Sequence, residues 1–181
     1  MIDQLLVLGA SGDLAGRYLL PALAHLQEAG RLPERLAIVG VACDDWDTAA
    51  FRRHLAGRLE RHAATVDPGA REALVAMASY QRADAGDAAA LAGALDQAKR
   101  PVVAYLALPP AAFAPAIGAL ATVGLPAGSR VVVEKPFGRR LAEAQALNQL
   151  VARCFGEKAT FRADHFLRLQ TVQNLLGLRF A

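Results

Sequence analysis

The chain has 181 residues, a length that suits one domain, and a hydrophobic content of 54% lets it bury a sizeable core. Lys and Arg number 20 and Asp and Glu 17, mixed along the chain with no basic run and few aromatics among them. That pattern excludes nucleic acid as the main partner and leaves room for a local anion site.

The N-terminus reads MIDQLLVLGASGD, with no basic stretch before its apolar run, so it is not a secretory signal. A first strand is predicted over 4–8 (QLLVL), then a Gly-containing turn and a helix over 14–29. A second strand follows over 36–41 (LAIVGV), then helices over 47–63, 68–78 and 87–98. Later strands are predicted over 102–108, 130–134 and 159–163, with helices over 111–123, 140–155 and 170–177. Residues 101–129 carry no charge, yet Pro109, Pro110, Pro115 and Pro126 interrupt them. A strand, a turn and an Ala-rich helix explain that stretch better than a membrane span, so no membrane partner is expected. Cys43 and Cys154 lie far apart in no metal-ligand spacing, which predicts a reduced, cytoplasmic protein without a metal.

The strands read as apolar on both faces, as buried parallel strands do. Alternating them with helices predicts an α/β fold, a Rossmann-like doubly wound parallel sheet with helices on both faces. The stretch LLVLGASGDLAGRYLLPAL then acquires a purpose. Gly9 and Gly12 permit a tight turn and close approach of backbone to a ligand. The following helix start offers free N–H groups and a positive dipole end to a phosphate. The spacing Gly9-x-x-Gly12-x-x-Ala15 is not the strict glycine fingerprint, but it follows the first strand, which favours a dinucleotide. The plainer reading is an ordinary strand-to-helix turn with Ser11 or Asp13 as N-cap.

The second strand runs into VACDDWD. There Asp44 or Asp45 either accepts hydrogen bonds from a ribose 2′-hydroxyl or caps the next helix. Arg52 and Arg53 fall into that helix and are expected to face solvent. RVVVEKPFGR puts Glu134, Lys135 and Pro136 at the end of a buried strand, where a lysine needs an anionic or polar partner. Asp164 and His165 stand together just past the last strand.

GASGDLAGRYLLPAL, YLALPP, VVVEKPFGR and RADHFLRLQTVQNLLGLRF, in this order and spacing, resemble the N-terminal coenzyme domain of glucose-6-phosphate dehydrogenases over essentially the whole chain. The resemblance implies a cytoplasmic oxidoreductase of carbohydrate metabolism that moves a hydride from C1 of a sugar phosphate to NAD or NADP, giving a lactone. By it, Gly9, Ser11, Gly12, Asp13 and Leu14 form the coenzyme loop, and Leu108 and Pro109 lie along the coenzyme. Lys135 contacts substrate near the nicotinamide, His165 belongs to the sugar-phosphate site, and Asp164 orients a catalytic histidine. That histidine lies in the family's second domain, and His25, His54 and His62 do not match it. The second domain would begin about where this sequence ends, at Ala181. Residues 1–181 are therefore expected to be one dinucleotide-binding domain, a fragment or truncated relative inactive alone, with any homo-oligomer formed through the second domain.

Two further departures bear on specificity. The family's Asp-His-Tyr-Leu-Gly-Lys motif here reads Asp164-His165-Phe166-Leu167-Arg168-Leu169, so a hydroxyl and a cation of the phosphate site are replaced, with Arg168 one position from the lost lysine. The family's arginine for the NADP 2′-phosphate aligns with Cys43, and Asp44 follows it. NAD is therefore expected to bind at least as well as NADP. The competing readings are the coenzyme domain of a glucose-fructose oxidoreductase-type sugar dehydrogenase and a non-catalytic cofactor-binding module.

Overall fold

A computed structural model describes residues 2–95 and 101–164. The helix expected at 170–177, and the last residues of the one expected at 87–98, lie outside the described residues. Six strands form one sheet: β1 (Gln4–Leu8), β2 (Ala37–Ala42), β3 (Ala78–Arg82), β4 (Val102–Leu106), β5 (Arg130–Glu134) and β6 (Thr160–Ala163). They lie in the order β3-β2-β1-β4-β5-β6, and every neighbouring pair is parallel. The helices are α1 (Leu20–Glu28), α2 (Thr48–His62), α3 (Pro68–Ala76), α4 (Ala88–Leu95), α5 (Pro110–Val123) and α6 (Leu141–Phe155).

β1 is central, and all five of its residues are buried. Side chains alternate across a strand, so its even and odd positions feed different layers. Leu6 and Leu8 join Leu106, Val131 and Val133 under Phe113, Ile117 and Leu120 of α5 and Leu147 of α6. Leu5 and Val7 join Ile38 under Phe51, Leu55 and Leu59 of α2, together with Leu74 of α3. A sheet covered on both faces in this way is the doubly wound fold that the alternation of elements implied.

Three expectations need correction. No strand was expected at 78–82, and the preceding helix was read through Ala78. Instead α3 stops at Ala76 and the edge strand β3 begins at Ala78. Ala-Ser-Tyr-Gln-Arg has no apolar run, because an edge strand is paired on one side only and half exposed. Arg52, expected in solvent, makes this junction: its Nε donates to Ala78 O at 2.8 Å and its Nη2 to Ala76 O at 2.9 Å. Finally, neither Ser11 nor Asp13 caps the first helix through its side chain. That helix begins at Asp13 and passes into a π turn over Ala15–Leu19, where Leu20 N–H reaches back to Ala15 O. The cause is Pro21, which has no N–H for the carbonyl four residues back and whose ring crowds it, widening the turn.

Candidate coenzyme site at the carboxyl edge of the sheet

Between β1 and β4 the strand order reverses, and the loops leaving those two strands part to opposite faces of the sheet. Ligands of open α/β sheets bind at such a switch point, outside the carboxyl ends of the strands. Here the loops 9–14, 43–47, 107–110 and 135–140 leave the carboxyl ends of β1, β2, β4 and β5 at that edge.

The first loop is pinned by its own backbone. Gly9 N–H donates to Val41 O at 2.8 Å, Ala10 N–H to the same oxygen at 3.2 Å, and Gly12 N–H to Gly9 O at 3.0 Å. Gly9 has φ +81°, and a Cβ there would stand 2.4 Å from Ala107 O. The turn therefore requires glycine, both for its backbone region and for the approach of the loop after β4. Ser11 and Gly12 are half-buried, and a Cβ on Gly12 would meet nothing nearer than Gly9 O at 3.1 Å.

Asp13 is held from two directions. Arg58 Nη2 lies 2.6 Å from Asp13 Oδ1 and donates at 3.3 Å to its carbonyl, while Arg17 Nε lies 3.3 Å from Oδ2. The hydrogen bond from Arg58 holds the Asp13 carboxyl below its ordinary value of 3.8. Arg58 crosses from α2 over Gly16, where a Cβ would come 2.1 Å from its Nε. Sequence reasoning missed Arg58. The available signal was its place on α2 beside the buried stripe Phe51, Leu55 and Leu59.

At the end of β2, Cys43, Asp44 and Asp45 are exposed. Asp47, rather than Asp44 or Asp45, caps α2, its Oδ1 accepting from Ala50 N–H at 2.6 Å. The Tyr80 hydroxyl lies 2.9 Å from Ala42 O and 3.0 Å from Asp44 O, bracing the loop from β3. Burial pushes the Tyr80 phenol up, so it remains a donor at neutral pH. Asp45 pairs with Arg82, whose Nη1 lies 2.6 Å from its Oδ1. Arg82 was missed because β3 was missed.

On the far side of the switch point, Leu108 is half-buried and Pro109 exposed at the start of α5. Pro109 also walls a cavity of about 740 Å³ that runs past Phe137 to Leu147 and Leu150 of α6. Lys135 leaves β5 on the exposed rim, joined to Pro136 by a cis peptide. Its Nζ donates to Asp164 Oδ2 at 2.7 Å, and its backbone N–H donates to Ala163 O. The expected anionic partner of the strand-end lysine is thus Asp164, brought alongside by the β5–β6 pairing. Glu134 is buried and accepts a hydrogen bond from the Tyr105 hydroxyl. His165 and Arg168 lie outside the described residues. Among the described residues, no group of three or more His, Cys, Asp or Glu could hold a metal ion, and no helix is long and apolar enough to cross a membrane.

The family model "Glucose-6-phosphate dehydrogenase, NAD binding domain" matches residues 6–174. A glucose-6-phosphate 1-dehydrogenase of Dickeya dadantii is 37% identical over 98% of this chain and 37% of its own length. The crystal structure of a glucose-6-phosphate 1-dehydrogenase from Mycobacterium avium superposes with a TM-score of 0.85 at 32% identity, over 99% of this chain and 40% of that one. A glucose-6-phosphate dehydrogenase solved with its substrate glucose-6-phosphate gives 0.82 at 29% identity, over 99% of this chain and 40% of that one. The chain thus spans between a third and a half of the length of these relatives.

Proposed function

Because the chain belongs to the glucose-6-phosphate dehydrogenase family, as its NAD-binding domain, we propose that its switch-point edge holds a nicotinamide dinucleotide. Bound there, that coenzyme would supply the hydride acceptor for C1 of a sugar phosphate. The observation that carries this reading is the pinned loop Gly9–Leu14. It closes on Val41 and Ala107 through backbone alone and presents a side-chain-free Gly12 at the start of a helix. Backbone N–H groups and the helix dipole there suit a pyrophosphate, which no side-chain cation needs to hold.

In this placement Leu108 and Pro109 flank the coenzyme, and Cys43 and Asp44 meet the adenosine ribose. Lys135 faces the nicotinamide end. Its ammonium holds substrate oxygens, and Asp164 keeps it aimed across the β5–β6 edge. By the family resemblance, His165 and Arg168 contribute to the sugar-phosphate site. The proton of the sugar C1 hydroxyl passes to a base outside these residues as the C1–H bonding pair leaves and the carbonyl of the lactone forms. Asp164 supports that base by fixing its tautomer. With Phe166 and Leu169 in the phosphate motif, the whole enzyme discriminates less for a 6-phosphate than its relatives do.

NAD binds at least as tightly as NADP in this reading. The β2 end offers Cys43 and an exposed Asp44, while Arg17 and Arg52 are engaged elsewhere. The free thiols Cys43 and Cys154 suit a reducing, cytoplasmic setting. Calorimetric titration of the chain with NAD and with NADP tests the reading. Saturable one-to-one binding of NAD is expected. No heat from either nucleotide, or an NADP preference of about tenfold or more, sinks the respective claim.

A further inference from the structure

The β2 end alone carries no cation for a 2′-phosphate, but the fold brings one there from another strand. Arg82 closes β3 directly opposite Ala42, and Ala83 N–H donates to Ala42 O at 2.9 Å. Cys43 Sγ lies 3.7 Å from Ala83 O on the same rim. Arg82 is therefore a next-strand neighbour of the two residues assigned to the adenosine ribose. Its guanidinium is turned onto Asp45, with Nη1 at 2.6 Å from Oδ1. The loop that presents Asp45 is fixed. The Tyr80 hydroxyl holds the Ala42 and Asp44 carbonyls, and the Trp46 ring packs on His54 and Tyr80 with centroids 4.8 and 6.0 Å away.

We propose that the Arg82–Asp45 pair sets the coenzyme choice of this chain, with Asp45 withholding Arg82 from the 2′-phosphate of NADP. The proposal rests on the dinucleotide reading and names the specificity-determining pair within it. Of the other arginines of α2 and the first helix, Arg17 and Arg58 are committed to Asp13 and Arg52 to the Ala76 and Ala78 carbonyls, while Arg53 is exposed on α2. At the rim itself, Asp44 and Asp45 outnumber Arg82, so an incoming phosphate meets net negative charge. The side chains of Arg82 and Asp45 are 59% and 88% exposed, and an exposed pair is weak. Deleting one member frees the other without unfolding the strand. A guanidinium so released matches a phosphate in a two-point fork.

The test is a set of dissociation constants for NAD and NADP, by calorimetry at low and high salt, for wild type, Asp45→Asn, Arg82→Met and the double variant. Asp45→Asn is expected to tighten NADP by about tenfold while leaving NAD unchanged, which also shows that the variant is folded. The gain is expected to shrink at high salt, because the contact is exposed, and to vanish in the double variant. An unchanged NADP-to-NAD ratio in Asp45→Asn overturns the proposal. So does a gain that persists undiminished without Arg82, since that would be a general charge effect. Failure of the wild type to bind either nucleotide overturns the coenzyme reading and this proposal with it. Normal NAD binding with an unresponsive ratio overturns this proposal alone.

Discussion

Gly9 and Gly12 sit three residues apart in one loop, yet substituting each is expected to damage a different property. Gly9→Ala puts a side chain into the left-handed backbone region at φ +81°, with its Cβ 2.4 Å from Ala107 O. The backbone term costs about 1–2 kcal/mol, and a forced contact inside a packed region costs typically about 1–3 kcal/mol. The obstruction is a carbonyl of the β4 exit, which cannot rotate aside as a side chain would, so the two costs add to about 2–5 kcal/mol. At about 2–4 °C per kcal/mol for a chain of this size, the melting midpoint falls by roughly 4–20 °C. Gly12 has no such constraint. Its φ is not positive, and a Cβ there would stand 3.1 Å from its nearest neighbour, Gly9 O, so the loop gives by a few tenths of an ångström. Gly12→Val is therefore expected to lose less stability than Gly9→Ala, since it has a 3.1 Å contact and no positive φ to overcome. It nonetheless loses at least about tenfold in dinucleotide affinity, because its branched side chain fills the approach to the backbone N–H groups. Paired melting curves and NAD titrations of both variants check this. A Gly9→Ala protein as stable as wild type, or a Gly12→Val protein with wild-type NAD affinity, refutes the assignment of roles.

Gly16→Ala displaces Arg58, whose Nε would lie 2.1 Å from the new methyl, and is expected to destabilise by about 1–2 kcal/mol in urea unfolding. In an Arg58→Ala background that penalty is expected to shrink, because the atoms the new methyl would meet first are gone. The Asp13 carboxyl, lowered by Arg58, contributes stability that is present above its ordinary value of 3.8 and lost as pH falls through its lowered value. Asp13→Asn should accordingly be less stable than wild type at pH 7 and indistinguishable from it well below pH 3.8, measured by urea midpoints across pH. Cys43→Arg places a cation at the β2 end and is expected to shift preference toward NADP, the shift shrinking with salt. The 181-residue chain is expected to give no measurable reduction of coenzyme with glucose 6-phosphate in a spectrophotometric assay. A base alone supplies about 10²–10⁴-fold, and His25, His54 and His62 sit away from Lys135 on the first two helices of the chain.

The sequence by itself determined the parts that depend on local pattern. The apolar run 5–8 made a central buried strand, because a strand covered on both faces favours apolar side chains at successive positions, and Gln4 at its start is buried with its amide donating to Ala94 O. Gly9 and Gly12 marked the turn, and at Gly9 a positive φ and the close approach of Ala107 O exclude other residues. The strand-end position of Lys135 predicted an anionic or polar partner without identifying it. Tertiary structure decided what joins across the chain. β3 has no hydrophobic signature, because an edge strand buries little, and its existence rests on pairing with β2. Arg82 reaches the rim of the site only through that pairing, 37 residues from Asp45. Arg58 reads as one more surface arginine of an amphipathic helix until the packing of α2 over Gly16 lays it against Asp13, 45 residues away. Asp164 finds Lys135 because β6 runs beside β5. Long side chains carry their charge several ångströms from the backbone, and periodicity records where a residue sits without recording where its charge ends up. That destination is fixed only when strand order and helix packing choose its neighbours.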